Sequence, residues 1–113
     1  MQGSLMPDRT LYAMHALICQ TLANPKRLEI IDTLREGERS VGDLAEALEV
    51  SPSNVSQHLA VMRQNGILIA RREGLNVFYR IANPKIVRAC KLMREVLLER
   101  LHSGALLAQK AAA

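Results

Sequence analysis

The stretch Ser51–Gly66, SPSNVSQHLAVMRQNG, decides how the rest of the chain is read. It carries the punctuation of a helix. Ser51 is a good N-cap, and Pro52 suits the first turn, where its missing N–H costs nothing. Gly66 after Asn65 is a good stop. Val55, Leu59 and Met62 recur at i, i+4 and i+7 and make one apolar stripe. The opposite face holds Ser53, Asn54, Ser56, Gln57 and Gln64, which are short polar side chains without a carboxylate. Their amides both donate and accept, as the base edges of a DNA major groove require. An ordinary solvated helix face is the alternative. Such faces usually hold Glu and Lys, and this one has neither in its first two turns.

Downstream, the period changes from 3.6 to 2. Ile67–Arg72 and Asn76–Ile81 are two β-rich runs joined by Glu73-Gly74-Leu75, which predicts a hairpin with Arg71 and Arg72 near its tip. Asn83 and Pro84 then open a last helix with the stripe Ile86, Cys90, Met93, Leu97 and Leu101. Upstream, Ser40 caps a short helix whose buried side is Leu44, Ala45 and Leu48. Its tight connection through Glu49-Val50 makes it and the opening stretch a helix-turn-helix. A helix over Pro25–Glu36 precedes it, separated at Asn24-Pro25 from a first helix over Arg9–Ala23 with the stripe Leu11, Met14, Ile18 and Leu22. The fold expected is mainly α with a small β-hairpin: a winged helix-turn-helix in the order α-α-α-α-β-β-α. The whole chain, 1–113, is expected to be a single domain, with 1–8 and about 105–113 as flexible ends.

Composition narrows the function. Of the 113 residues, 49% are hydrophobic and only 3% aromatic, so the core is aliphatic, as in helical bundles. No apolar run approaches the ~20 residues of a membrane span, and no signal-peptide pattern opens the chain, so no membrane partner is expected and the cytoplasm is the expected compartment. Two cysteines, Cys19 and Cys90, are too few for a disulfide scaffold. The charge is segregated. Leu28–Val50 carries seven acids against two bases, whereas Ser51–Lys91 carries seven bases against one acid, which favours a polyanion on one side of the molecule. There is no Gly-rich phosphate loop, no metal-spaced His/Cys/Asp cluster and no Ser/His/Asp arrangement, so the chain is not read as an enzyme and no cofactor or metal is expected.

Taken in order, Asn-Pro-Lys-Arg-Leu-Glu-Ile-Ile (24–31), Val-Gly-Asp-Leu-Ala (41–45), Ser-Pro-Ser-Asn-Val-Ser-Gln-His-Leu (51–59) and Arg-Arg-Glu-Gly…Val-Phe-Tyr-Arg (71–80) closely resemble the ArsR/SmtB family of bacterial winged-helix repressors. The resemblance covers about residues 10–102. It implies a homodimer built through the first and last helices, bound to double-stranded DNA at an imperfect palindrome. It implies that Ser53, Asn54, Ser56, Gln57 and His58 face the DNA, with Gln57 suited to bidentate reading of adenine. Arg71 and Arg72 would meet phosphate or the minor groove, and so position rather than specify. His58 also flanks the apolar stripe, where it would simply orient the helix. A winged-helix interaction module, or one that coats DNA without sequence preference, is the rival reading.

Members of the family are typically released from DNA by an inducer, here unidentified. The arsenic and cadmium branch carries Cys-Val-Cys where this chain has Ser40-Val41-Gly42. The zinc branch lines the last helix with His and carboxylates, where this chain offers Glu95, Glu99 and His102 without an Asp-x-His start. The sulfide-responsive branch has a cysteine on the second helix, at a position held here by Asp32. Cys19 and Cys90 lie on the two helices expected to pair, which makes them candidates for a sulfur- or oxidant-responsive switch. A thiophilic metal or arsenite at these relocated cysteines is the alternative inducer. Cysteine is also a small apolar side chain, and Cys90 sits in the middle of its stripe.

Overall fold

The computed structural model describes residues 8–104. Five helices and three short strands follow the chain as α1 (Asp8–Leu22), α2 (Pro25–Leu34), β1 (Arg39–Ser40), α3 (Val41–Leu48), α4 (Pro52–Gln64), β2 (Leu68–Glu73), β3 (Asn76–Ile81) and α5 (Pro84–His102). The N-caps work as the sequence predicts. Asn24, Ser40, Ser51 and Asn83 each accept a backbone N–H from the first turn of the following helix, and α2, α4 and α5 all begin with proline.

Two features depart from the sequence reading. The hairpin is part of a three-stranded antiparallel sheet in the order β1-β3-β2, because Arg39 and Ser40 pair with Tyr79 and Phe78. A two-residue strand has no periodicity to detect. The hairpin turn is also tighter than expected: Glu73 pairs with Asn76, which leaves Gly74 and Leu75 as a two-residue connection with Gly74 at φ +61°. Between α3 and α4 the turn passes through Glu49 in the left-handed region, at φ +56°. The expected flexible ends, apart from Asp8, lie outside the described residues.

The core is aliphatic. Ile30, Ile31 and Leu34 from α2, Leu44, Ala45 and Leu48 from α3, and Val55, Leu59 and Met62 from α4 close on Ile67 and Leu68 at the root of the sheet. Ile30, Leu44, Val55, Leu59 and Met62 are wholly inaccessible to solvent. The outer helices contribute little to it. Thr21 is the one buried residue of α1, and α5 has none. Leu11, Met14, Leu17 and Ile18 of α1, and Leu92, Met93, Val96 and Leu97 of α5, are exposed. Two long helices with apolar, solvent-facing stripes are incomplete by themselves, since exposed apolar patches of this kind mark interaction surfaces.

Candidate nucleic-acid interface

Helix α4 is oriented by its buried stripe. Once Val55, Leu59 and Met62 are fixed against α2 and α3, Ser53, Asn54, Ser56 and Gln57 are exposed on the opposite side. At its start the Ser51 hydroxyl accepts from the Asn54 N–H at 3.2 Å and lies 3.2 Å from the Ser53 hydroxyl. The first turn of α4 therefore presents N–H groups and small polar side chains with no acid among them, a suitable end for approach to a polyanion.

His58 is only partly exposed, and its ring is engaged. Its Nδ1 accepts from Nε of Arg27 at 3.1 Å. Burial, with Arg27 and Lys26 alongside, holds the imidazole below its ordinary pKa, which favours the neutral ring that can accept this bond. The bond links α4 to α2 through the side chains of His58 and Arg27. Arg27 is a residue that sequence reading missed: no local pattern joins positions 31 apart.

The two wing arginines differ. Arg71 lies across the sheet from Phe78, with its guanidinium 4.8 Å from the ring centroid. It donates from Nε to Glu38 at 3.3 Å, forms a second bond to the same carboxylate, and pairs with Glu73. The hydrogen bonds from Arg71 hold the Glu38 carboxyl below its usual range, and those carboxylates raise the Arg71 pKa in turn. Arg71 therefore braces the wing against the segment before β1, with its charge already matched. Arg72, one residue on, projects from the opposite face of the strand and is exposed, with no ion pair among the described residues.

The candidate sensor residues come together in one respect. An open groove of about 640 Å³ between α1 and α5 has both Cys19 and Cys90 in its lining, with Leu22, Met93 and Leu97. Cys19 is exposed and Cys90 half-buried. Burial pushes the Cys90 thiol up, away from the reactive thiolate. Asp32 and Cys90 line a smaller cleft on the other side of α5, where Arg94 approaches Asp32 at 3.6 Å. Among the described residues no group of three or more His, Cys, Asp or Glu side chains is placed to hold a metal ion, and no helix is long and apolar enough to cross a membrane.

The family model for bacterial regulatory proteins of the arsR family matches residues 24–70, from the cap of α2 into β2. The HTH-type transcriptional regulator Rv0081 of Mycobacterium tuberculosis is 40% identical over 93 residues, 81% of this chain and 82% of that protein. Transcriptional activator HlyU of Vibrio cholerae is 39% identical over 84 residues, 74% of this chain and 78% of its own length. The solution structure of a homodimeric winged helix-turn-helix DNA-binding domain from Mycobacterium bovis superposes with a TM-score of 0.77 at 35% identity, covering 89% of this chain and 94% of that one. With an outward-facing polar recognition helix, a braced wing and relatives matching most of its length, this chain belongs to the ArsR family of winged helix-turn-helix, DNA-binding transcriptional regulators.

Proposed function

We propose that two copies pair through α1 and α5 and present their α4 helices to successive major grooves of an imperfect palindrome, acting as a repressor where that site overlaps a promoter. Ser53, Asn54, Ser56 and Gln57 read base edges, with Gln57 bidentate to adenine. His58 holds α4 at its angle, within reach of the backbone. Arg72 meets phosphate, and Arg71 does so only by releasing Glu38 or Glu73. One observation carries this reading: α4 is divided between three wholly buried apolar residues and an acid-free polar face. The homodimeric state of the M. bovis neighbour and the bare apolar stripes of α1 and α5 support pairing. Selection of bound duplexes from a random pool tests it. An enriched inverted repeat is the expected result, and a pool without enrichment contradicts it. A promoter carrying the enriched repeat should be silenced in a reporter strain; stimulation would instead give the direction named for the V. cholerae relative.

A thiol switch is the proposed means of release, favoured by the one groove that Cys19 and Cys90 share. A peroxide oxidises the exposed Cys19 thiol to a sulfenic acid, releasing water. The Cys90 sulfur then attacks the Cys19 sulfur, and a second water leaves as the disulfide forms. Bridging α1 to α5 in this way would shift the pairing helices and, with them, the spacing of the two α4 helices. Peroxide should lower DNA affinity in the parent and leave a Cys90→Ser protein unaffected. An equal response of the two proteins excludes the switch.

A further inference from the structure

Thr21 is the only buried polar residue among those described, and it lies in the last turn of α1, the helix proposed to pair with a second copy. Its hydroxyl donates to the Leu17 carbonyl at 2.8 Å and accepts from Nδ2 of Asn65, also at 2.8 Å. Its carbonyl accepts from Nη1 of Arg27 at 3.1 Å, and Nε of the same guanidinium donates to His58. The backbone of Arg27 is fixed in turn by its N–H bond to the Asn24 cap. The end of α1 is thereby tied to α4 at two points, His58 in its middle and Asn65 at its C-cap.

We propose that Arg27 and the Thr21–Asn65 pair are positioning residues that fix the angle between the pairing helix and the recognition helix, and so set the half-site spacing at which the dimer reads DNA. This rests on the palindrome-reading dimer proposed above. The physical reason is directionality. Apart from Thr21, α1 meets the core through the half-buried Leu22, and an apolar contact alone leaves a helix free to roll. Hydrogen bonds weaken steeply away from linearity. Anchors at His58 and Asn65 are spread over about 10 Å of α4 at ~1.5 Å per residue, enough to resist a tilt. The leverage is large. The recognition helices of such a dimer lie about 34 Å apart, so each is ~17 Å from the two-fold axis. A rotation of about 10° about a pivot set back from the DNA by a comparable arm shifts a helix by roughly 3 Å along the duplex, close to the ~3.4 Å of one base-pair step. Only an arginine offers Nε and Nη donors in a rigid fork; a lysine keeps the charge and loses the geometry.

The test uses duplexes that carry the two half-sites enriched by the parent protein, with the spacer lengthened or shortened by one and two base pairs. The parent should bind one spacing best. Arg27→Lys and Thr21→Val proteins, checked for helix content and dimeric state, should keep the base preference of the half-site. The ratio between the best spacer and its neighbours should fall about 2- to 30-fold, the range of couplings carried by such networks. If Arg27→Lys does not fold, Asn65→Asp replaces it. That change keeps the shape of the C-cap and turns a carboxylate oxygen toward a hydroxyl whose proton is already given to Leu17. A folded variant with the parent's spacer profile overturns the proposal. A parent with no spacer preference overturns it too, and a parent with neither base nor spacer preference shows that the failure lies in the operator reading itself.

Discussion

At Gln57, an exposed amide on a helix whose far side is anchored by Val55 and Leu59 can be removed without touching the core. Gln57→Ala should weaken binding to the enriched duplex by about 1–3 kcal/mol and leave the melting temperature unchanged. An unaltered preference in a competition titration would count against base reading by this residue. The wing makes a sharper comparison. Arg72→Ala should lower affinity for every sequence and reduce the slope of log affinity against log salt by about 1. Arg71→Ala should alter that slope less, because Glu38 and Glu73 already neutralise the guanidinium. Equal slopes in the two variants would show that Arg71 reaches phosphate as readily as Arg72. The candidate DNA face was legible in the sequence because polarity, spacing and caps are local properties. The difference between Arg71 and Arg72 was not, since it depends on Glu38 from another part of the chain, and neither was the bond from Arg27 to His58.

Among the elements, α4 rests on three residues with no solvent exposure, so Leu59→Ala should cost about 2–5 kcal/mol in a urea titration. A cost below 1 kcal/mol would mean that the site collapses around the smaller side chain. Two groups link the stability of this layer to pH. The His58 imidazole is held below its ordinary value in the fold, whereas the unfolded chain takes up a proton near pH 6.5. Its contribution is therefore complete above about pH 6.5 and is lost as the pH falls from there toward the folded-state value. The Glu38 carboxyl is likewise lowered, and its contribution is lost in a separate window below about pH 4.5. The urea midpoint should fall between pH 7.5 and pH 5.5, and less so in His58→Asn; the same fall in both proteins would exclude His58 as its source. All five helices and the hairpin could be read from stripes, caps and prolines. The strand Arg39–Ser40 could not, because its pairing with β3 is non-local, and neither could Glu49 in a left-handed turn where glycine or asparagine is the usual signal.

On the scale of the molecule, α1 and α5 touch the core of α2, α3, α4 and the sheet only through Leu22, Ile86, Val87 and Cys90 among their described apolar residues, and the rest of their stripes is left exposed. Leu97→Glu, on the exposed face of α5, should give a folded monomer by sedimentation, with near-native helix content and loss of palindrome binding. A dimer that persists would place the interface elsewhere. The charge is segregated along the chain, acidic over 28–50 and basic over 51–91, and α4 itself carries no acid, which suits that helix to a polyanion. Charge alone binds any duplex, however, while a divided recognition helix repeated about a two-fold axis binds one arrangement of bases. The two are separated by titrating the protein at moderate salt against the enriched inverted repeat and against a shuffled duplex of the same length and composition. The affinity ratio should be about 10³ or more in favour of the repeat. Equal affinities would contradict it.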